Sequence, residues 1–125
     1  MTPERILVVD DDKDIRTVVS MALTAVGGFA VEECSLGEDV VRMATALPPD
    51  LILLDVMMPG LDGPGTLRQL RETPQTADIP VIFMTAKIMP GEVEHYLEIG
   101  AAGVIAKPFD PMTLSDEIKK ICAGL

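Results

Sequence analysis

The sequence predicts a doubly wound α/β domain with a five-stranded parallel sheet in the order 2-1-3-4-5. Short apolar runs alternate five times with segments of helical periodicity, a pattern typical of this class. Polar functional side chains follow directly after four of these runs. Right-handed crossovers leave few topologies, and this order places the first strand beside the third at a switch point. A length of 125 residues corresponds to about one domain, so we expect residues 1–125 to form a single unit.

The first part of the chain predicts two strand–helix units. A strand over residues 6–9 precedes a helix whose apolar residues recur on one face. These residues are Ile15, Val18, Val19, Ala22, Leu23 and Val26. A glycine pair ends this helix, and a second strand covers residues 29–34. Ser35 and Glu38 match a capping box, which predicts the start of the second helix. Its inner face is predicted to hold Val40, Val41, Ala44 and Leu47.

The remaining sequence predicts three more units. Strands are expected over residues 51–54, 81–84 and 103–106, and the first of these is apolar throughout, as in a strand covered on both faces. Pro64 suits the first position of the third helix. Asp110 is expected to cap the last helix, and no second domain is expected after it. The fourth helix carries Val93, Tyr96 and Leu97.

Composition excludes several classes of function. Twenty acidic against ten basic residues give a net charge of −10, and such a field repels nucleic acid and anionic membranes. We therefore expect no direct nucleic-acid partner and no membrane partner. Cys34 and Cys122 are too few for a disulfide framework and are expected to be buried thiols. The sequence shows no signal peptide and no apolar stretch of about 20 residues, which favours a soluble, cytoplasmic protein.

Charged and hydroxyl side chains stand where four predicted strands end. Asp10 and Asp11 follow the first strand, Asp55 the third, Thr85 the fourth and Lys107 the fifth. The carboxyl ends of parallel strands form one edge of a sheet, where ligand sites collect. Crowded carboxylates repel one another unless a hard divalent cation lies among them, and oxygen ligands suit Mg²⁺. A threonine and a lysine beside such a cation predict a phosphoryl-binding pocket.

Four motifs around these residues resemble one protein family. They are VVDDD at residues 8–12, LDVMMPG at 54–60, MTA at 84–86 and AKPF at 106–109. In sequence, order and spacing they resemble the receiver domain of bacterial two-component response regulators, over essentially the whole chain. The resemblance implies a flavodoxin-like (βα)5 fold.

The resemblance also implies which residues bind metal and phosphate. Asp55 would accept a phosphoryl group from the phosphohistidine of a sensor histidine kinase or a phosphotransfer protein. Asp11, Asp55 and the backbone carbonyl of Met57 would ligate Mg²⁺, with Asp10 placed to hold a water on the metal. The single histidine, His95, lies outside the motifs and is expected to be a solvated helix residue. This agrees with phosphoryl transfer, which needs positioning and charge stabilisation more than acid–base groups.

Two further residues and the output surface follow from the same resemblance. Thr85 and Lys107 would contact the phosphoryl oxygens, and the Lys107–Pro108 bond is expected to be cis. The protein would signal to a downstream protein through the face formed by the fourth helix, the fifth strand and the fifth helix. It would catalyse only its own phosphorylation and dephosphorylation, and would not be an enzyme with a separate substrate.

Simpler or different explanations remain for parts of this pattern. Asp12 is most simply a helix N-terminal residue, and Asp62 a turn residue before Gly63. A receiver-like adaptor that works without phosphorylation is one alternative function. A small Mg²⁺-dependent phosphatase of the haloacid-dehalogenase-like class is another, in which Asp10 rather than Asp55 would be essential.

The sequence departs from the family pattern three positions before the lysine. Many receivers carry tyrosine or phenylalanine there, whereas this chain has Val104. A valine is short and restricted by its β-branch, so we expect activation to rely on Tyr96 or on movement of the loop after Thr85. Met57 and Lys87, each two residues beyond a motif residue, are expected to flank the path of attacking water. The apolar Met57 should then slow dephosphorylation.

Overall fold

Five parallel strands form the centre of the protein in the computed structural model, which describes residues 1–86 and 89–125. They pair in the order β2-β1-β3-β4-β5, so the predicted fold class and strand order are confirmed. Each strand begins and ends within one residue of its predicted bounds. The strands are β1 (Arg5–Val9), β2 (Ala30–Cys34), β3 (Leu51–Asp55), β4 (Val81–Thr85) and β5 (Gly103–Ala106).

Helices cover both faces of this sheet. They are α1 (Lys13–Met21), α2 (Val40–Ala46), α3 (Gly63–Glu72), α4 (Pro90–Glu98) and α5 (Leu114–Ala123). A π-helical turn over Ala22–Val26 continues α1, and a 3-10 turn over Gly37–Asp39 precedes α2. No helix in the described part of the chain has the length and apolar character needed to cross a membrane.

Two hydrophobic cores form because successive strand residues point to opposite faces. Residues of α1 and α5 pack on one face, against alternate residues of β1, β3 and β4 such as Val8 and Leu53. Residues of α2 and α3 pack on the other face, against the intervening residues such as Val9 and Leu54. β3 and β4 are buried throughout, as their continuous apolar sequences predict. The sheet is therefore fixed from both sides, and its strand ends have defined positions.

Two predicted helix caps are wrong. The Glu38 side chain accepts a hydrogen bond from the Leu61 N–H at 2.9 Å, and no side chain caps α2. Asp110 lies one turn before α5, where its side chain accepts from the Met112 N–H at 2.9 Å. Both acidic residues bind loop backbone instead, because each helix begins only after a short turn, which contains Glu38 in one case and follows Asp110 in the other.

Some predicted core positions are also exposed. Four apolar residues assigned to inner faces or carried on helices are open to solvent, namely Val18, Val26, Leu47 and Leu97. Val18 lines a groove of about 440 Å³ between α1 and the connection from β5 to α5, beside Phe109. Leu97 is on α4, which has no buried residue at all. The periodicity was correct for the helices, but the apolar stripe is wider than the surface that each helix buries.

Candidate functional site

The sheet register brings the predicted site residues to one edge. Val9 pairs with Leu54 across β1 and β3, so Asp10 and Asp55 come next on neighbouring strands. Thr85 ends β4, and Lys107 follows the last residue of β5. The Lys107 N–H donates to the Thr85 carbonyl at 2.9 Å, which joins the ends of these two strands. The site is thus assembled from four strand ends.

Lys107 links two of the predicted carboxylates. Its Nζ lies 2.9 Å from Asp10 Oδ2 and 3.0 Å from Asp55 Oδ1. Asp10 is 1% exposed and Asp55 5%, so both acids are removed from water and need a partner. The cis Lys107–Pro108 bond that was expected is present. The lysine is therefore a site residue and not a solvated surface charge.

Asp10 is bound at all of its oxygens. Its Oδ1 accepts the Asp12 N–H at 2.9 Å, and its backbone carbonyl accepts Arg16 Nη1 at 2.8 Å. Asp12 itself is the N-cap of α1, accepting from two backbone N–H groups, as its simpler explanation predicted. The turn that follows β1 is consequently fixed by the Asp10 carboxylate and by the Arg16 guanidinium.

The pKa values describe a site with excess negative charge. Burial raises the pKa of Asp55, the hydrogen bond from Lys107 opposes this, and the neighbouring Asp10 raises it further. Burial would lower the pKa of Lys107, but its hydrogen bonds to Asp10 and Asp55 outweigh burial, and the pKa rises. Lys107 is thus held protonated, while ionised Asp55 is less favourable than an ordinary aspartate.

The donor set fits a hard cation. One carboxylate oxygen each from Asp10, Asp11 and Asp55 lie within 4.8 Å of one another, in a search of the described residues. Three carboxylates face one ammonium, so the cluster retains negative charge when ionised. Oxygen-only ligands at the mouth of a buried edge suit Mg²⁺ better than a softer ion. Asp11 is the exposed member and gives the cluster access from solvent.

Thr85 and Met57 occupy different depths of the site. Thr85 is buried at the end of β4, at 3% exposure. Met57 is 75% exposed, while its backbone N–H lowers the pKa of Asp55 by hydrogen bonding to the carboxylate. The Met57 side chain is therefore open to solvent, while its backbone N–H acts on the Asp55 carboxylate. Lys87, expected to flank the same path, lies outside the described residues.

Two residues near the site were missed from the sequence. Arg16 holds the Asp10 carbonyl and pairs with Glu33 at 3.3 Å. A basic residue one turn into a helix that begins with acids was the available signal. Glu38 holds the loop that follows β3, through Leu61. No signal pointed to it, because its position already matched a capping box.

Comparison with known proteins gives a consistent result. A family model described as the response regulator receiver domain matches residues 6–119. The chain is 37% identical over 121 residues to the phosphate regulon transcriptional regulatory protein PhoB of Pseudomonas aeruginosa, covering 97% of this chain and 52% of that protein. It is 38% identical over 118 residues to the alkaline phosphatase synthesis transcriptional regulatory protein PhoP of Bacillus subtilis, covering 94% and 48%. The chain spans about half the length of the curated relatives it matches.

Solved structures agree in fold over nearly the whole chain. The chemotaxis response regulator CheY4 of Vibrio cholerae superposes with a TM-score of 0.86 at 30% identity, covering 94% of this chain and 97% of that one. A response regulator from Desulfuromonas acetoxidans gives 0.85 at 31% identity, covering 97% and 98%. The family-model match, the strand order and the superpositions all agree. The chain therefore belongs to the response regulator receiver domain family of two-component systems.

Proposed function

We propose that Asp55 of this chain accepts a phosphoryl group in a Mg²⁺-dependent reaction, and that a sensor histidine kinase or a phosphotransfer protein supplies it. One observation carries the proposal: the buried Asp55 carboxylate lies close to the acidic pair Asp10 and Asp11 and 3.0 Å from the Lys107 ammonium. Such a site can hold a divalent cation and a phosphoryl group side by side. An isolated turn aspartate would have neither neighbour.

The acidic residues would hold the cation. Asp11, Asp55 and the backbone carbonyl of Met57 are the proposed ligands, and Asp10 completes the negative surface around them. When bound, Mg²⁺ would neutralise charge on the phosphoryl oxygens and so lower the barrier to transfer. The oxygen-only donor set supports this assignment.

In the transfer, an oxygen of the Asp55 carboxylate attacks phosphorus. An O–P bond forms, the P–N bond to the donor imidazole breaks, and the electron pair of that bond stays on the departing nitrogen. Lys107, kept protonated by its two carboxylates, would donate to a phosphoryl oxygen. Thr85, at the same edge, would donate its hydroxyl to another. An ionised carboxylate needs no general base, so no histidine is required.

The chain would act on itself and pass the signal on by contact. Phosphorylation would replace the bond between Lys107 and Asp55, and this change would be transmitted to the face formed by α4, β5 and α5. The lack of buried residues on α4 supports that choice, since such a helix can shift at little cost in packing. The curated relatives PhoB and PhoP are transcriptional regulatory proteins, and any such output of this chain is part of the proposal.

Labelling with a small phosphodonor tests the proposal. Incubation with acetyl phosphate and Mg²⁺ should add one phosphoryl group, measured as intact mass, and chelation of Mg²⁺ should abolish the uptake. Asp55→Asn should take up none. Asp12→Asn, which preserves the N-cap of α1, is the matched control and should be labelled normally.

The same experiment separates the alternatives. No uptake by the folded wild-type protein would favour the adaptor that works without phosphorylation. Uptake that survives in Asp55→Asn but is lost in Asp10→Asn would favour the phosphatase-like chemistry.

A further inference from the structure

The loop between β3 and α3 leaves the sheet directly after Asp55 and returns to it. The Val56 N–H donates to the Met84 carbonyl at 3.0 Å, and the Gly63 N–H donates to the Val56 carbonyl at 3.0 Å. A Cβ on Gly63 would stand 2.7 Å from the Asp55 carbonyl oxygen. The return is therefore tightly packed against the Asp55 backbone, and both ends of the loop are anchored at Val56, the next residue.

The far side of this loop is held by the 3-10 turn before α2. The Leu61 N–H donates to Glu38 Oε1 at 2.9 Å. Gly60, with φ of +73°, presents its backbone to the same carboxylate, so a Cβ there would collide with Glu38 Oε1. A Cβ on Gly37 would likewise collide with the Leu61 carbonyl oxygen. Gly37 thus allows the turn to approach the loop backbone, and Gly60 allows the loop to approach the Glu38 carboxylate.

The electrostatics favour the same contact. Glu38 receives hydrogen bonds from its own N–H and from that of Leu61, and these lower its pKa. The carboxylate is thus ionised at neutral pH and bound to the loop. Within the loop, Met58 is buried in the core beside α2 and α3, and Glu38 holds the segment beyond it at Leu61.

We propose that Glu38 is a positioning residue for the Asp55 site: by holding Leu61 it fixes the loop that follows Asp55, and with it the Met57 backbone carbonyl that would ligate the cation. This inference rests on the proposed function for its consequence in phosphorylation, but not for its effect on the loop. Glu38 touches neither Asp55 nor any ligand, and acts through the loop alone.

Amide exchange tests whether Glu38 holds this loop in particular, because a general loss of stability would also accelerate exchange in the strands. In Glu38→Ala we expect exchange of the Leu61 and Met57 N–H groups, followed by NMR, to accelerate at least fivefold, while strand amides such as Leu53 keep their rates. Glu38→Gln retains a carbonyl acceptor of the same length and should restore protection to within about twofold. Glu32→Ala removes an exposed acid on β2 and is the control for charge.

Magnesium affinity, measured by calorimetry without phosphodonor, is the second readout. Mutation of a residue that orients a metal ligand without binding the metal itself typically lowers metal affinity by about 10–100-fold. We expect Mg²⁺ affinity to weaken by about tenfold in Glu38→Ala and to recover in Glu38→Gln. Unchanged Met57 exchange and unchanged affinity in Glu38→Ala would overturn the inference. So would equal losses in both variants, because charge and not the hydrogen bond would then be responsible. If the wild-type protein takes up no phosphoryl group, the proposed function fails, but Met57 exchange still decides the role of Glu38.

Discussion

The ring of Tyr96 on α4 meets the ring of Phe83 on β4 edge to face, with centroids 5.1 Å apart and an interplanar angle of 66°. Phe83 is two residues before Thr85, and a Cβ on Gly63 would stand 3.2 Å from its ring. The Phe83 ring therefore lies between the loop that follows Asp55 and the helix of the proposed output face. Val104, opposite Phe83 on β5, is partly buried and adds no ring to this contact.

We predict that Tyr96→Leu destabilises the protein by about 1 kcal/mol, since an edge-to-face pair contributes roughly 0.5–1.5 kcal/mol beyond its buried area. Urea unfolding measures this loss. Amide exchange in α4 should also stop responding to acetyl phosphate and Mg²⁺, because the ring contact between α4 and Phe83 of β4 is lost. Tyr96→Phe keeps the ring and is the matched control. An unaltered α4 response in Tyr96→Leu would assign signalling to the loop after Thr85, part of which lies outside the described residues.

A second prediction concerns Lys107→Ala. Removing the ammonium leaves Asp10 and Asp55 buried and uncompensated, and breaking such a buried arrangement costs about 3 kcal/mol. Urea unfolding near neutral pH without divalent cation measures this. Because the pKa of Lys107 is raised in the fold, its contribution is fully present below its unfolded value of 10.5 and is lost as the pH rises through the folded value. The exposed Lys120→Ala is the control, with a change of at most about 0.5 kcal/mol. A loss as small as the control would mean that the acids are not ionised together.

Lifetime of the phosphorylated state provides the third prediction. Met57, two residues beyond Asp55, is 75% exposed, and we expect its apolar side chain to hinder the attacking water. Met57→Asn should speed the decay of phosphorylated Asp55 by about tenfold, equivalent to about 1.4 kcal/mol in the barrier. Decay is followed by intact mass after the phosphodonor is removed. Met57→Leu keeps the bulk and should decay like wild type, whereas unchanged or slower decay in Met57→Asn would refute a shielding role.

Acid stability provides the fourth prediction. Asp50 Oδ2 accepts hydrogen bonds from the N–H groups of Glu4 and Arg5 at 2.9 and 3.0 Å. These bonds, that of Arg5 most strongly, lower the pKa of Asp50 below 3.8. Its contribution is therefore present above the unfolded value and lost as the pH falls from 3.8 through the lower folded value. Asp50→Asn should reduce stability near neutral pH and have a smaller effect as the pH falls below 3.8, as measured by urea midpoints. Asp78→Asn, at an exposed aspartate, is the control. An equal loss at both pH values would mean that the charge of Asp50 is unimportant.

The strand order and the site were predictable because each depends on a strong local signal. Apolar runs such as residues 51–54 can only be buried strands in an alternating pattern, and parallel strands bring their ends together. Asp10, Asp55 and Lys107 could then be placed at one edge before any distance was known. The contacts of Lys107 with Asp10 and Asp55 follow from that placement.

Contacts between loops could not be predicted in the same way. Glu38 fitted a local capping pattern, but the Leu61 N–H, 23 residues away, is its partner in the fold. Arg16 reaches the Asp10 carbonyl only because α1 packs over the end of β1. Such bonds depend on where two segments meet, and short sequence patterns contain no information on that meeting.

The Lys107 bonds reach Asp55 across 52 positions and Asp10 across 97. An unfolded molecule cannot keep these groups together, so a denatured chain, or one with incorrectly paired strands, should not be phosphorylated by a small phosphodonor. The fraction of a preparation that becomes labelled would then count its correctly folded molecules, and could serve as a quality measure for any variant of this protein.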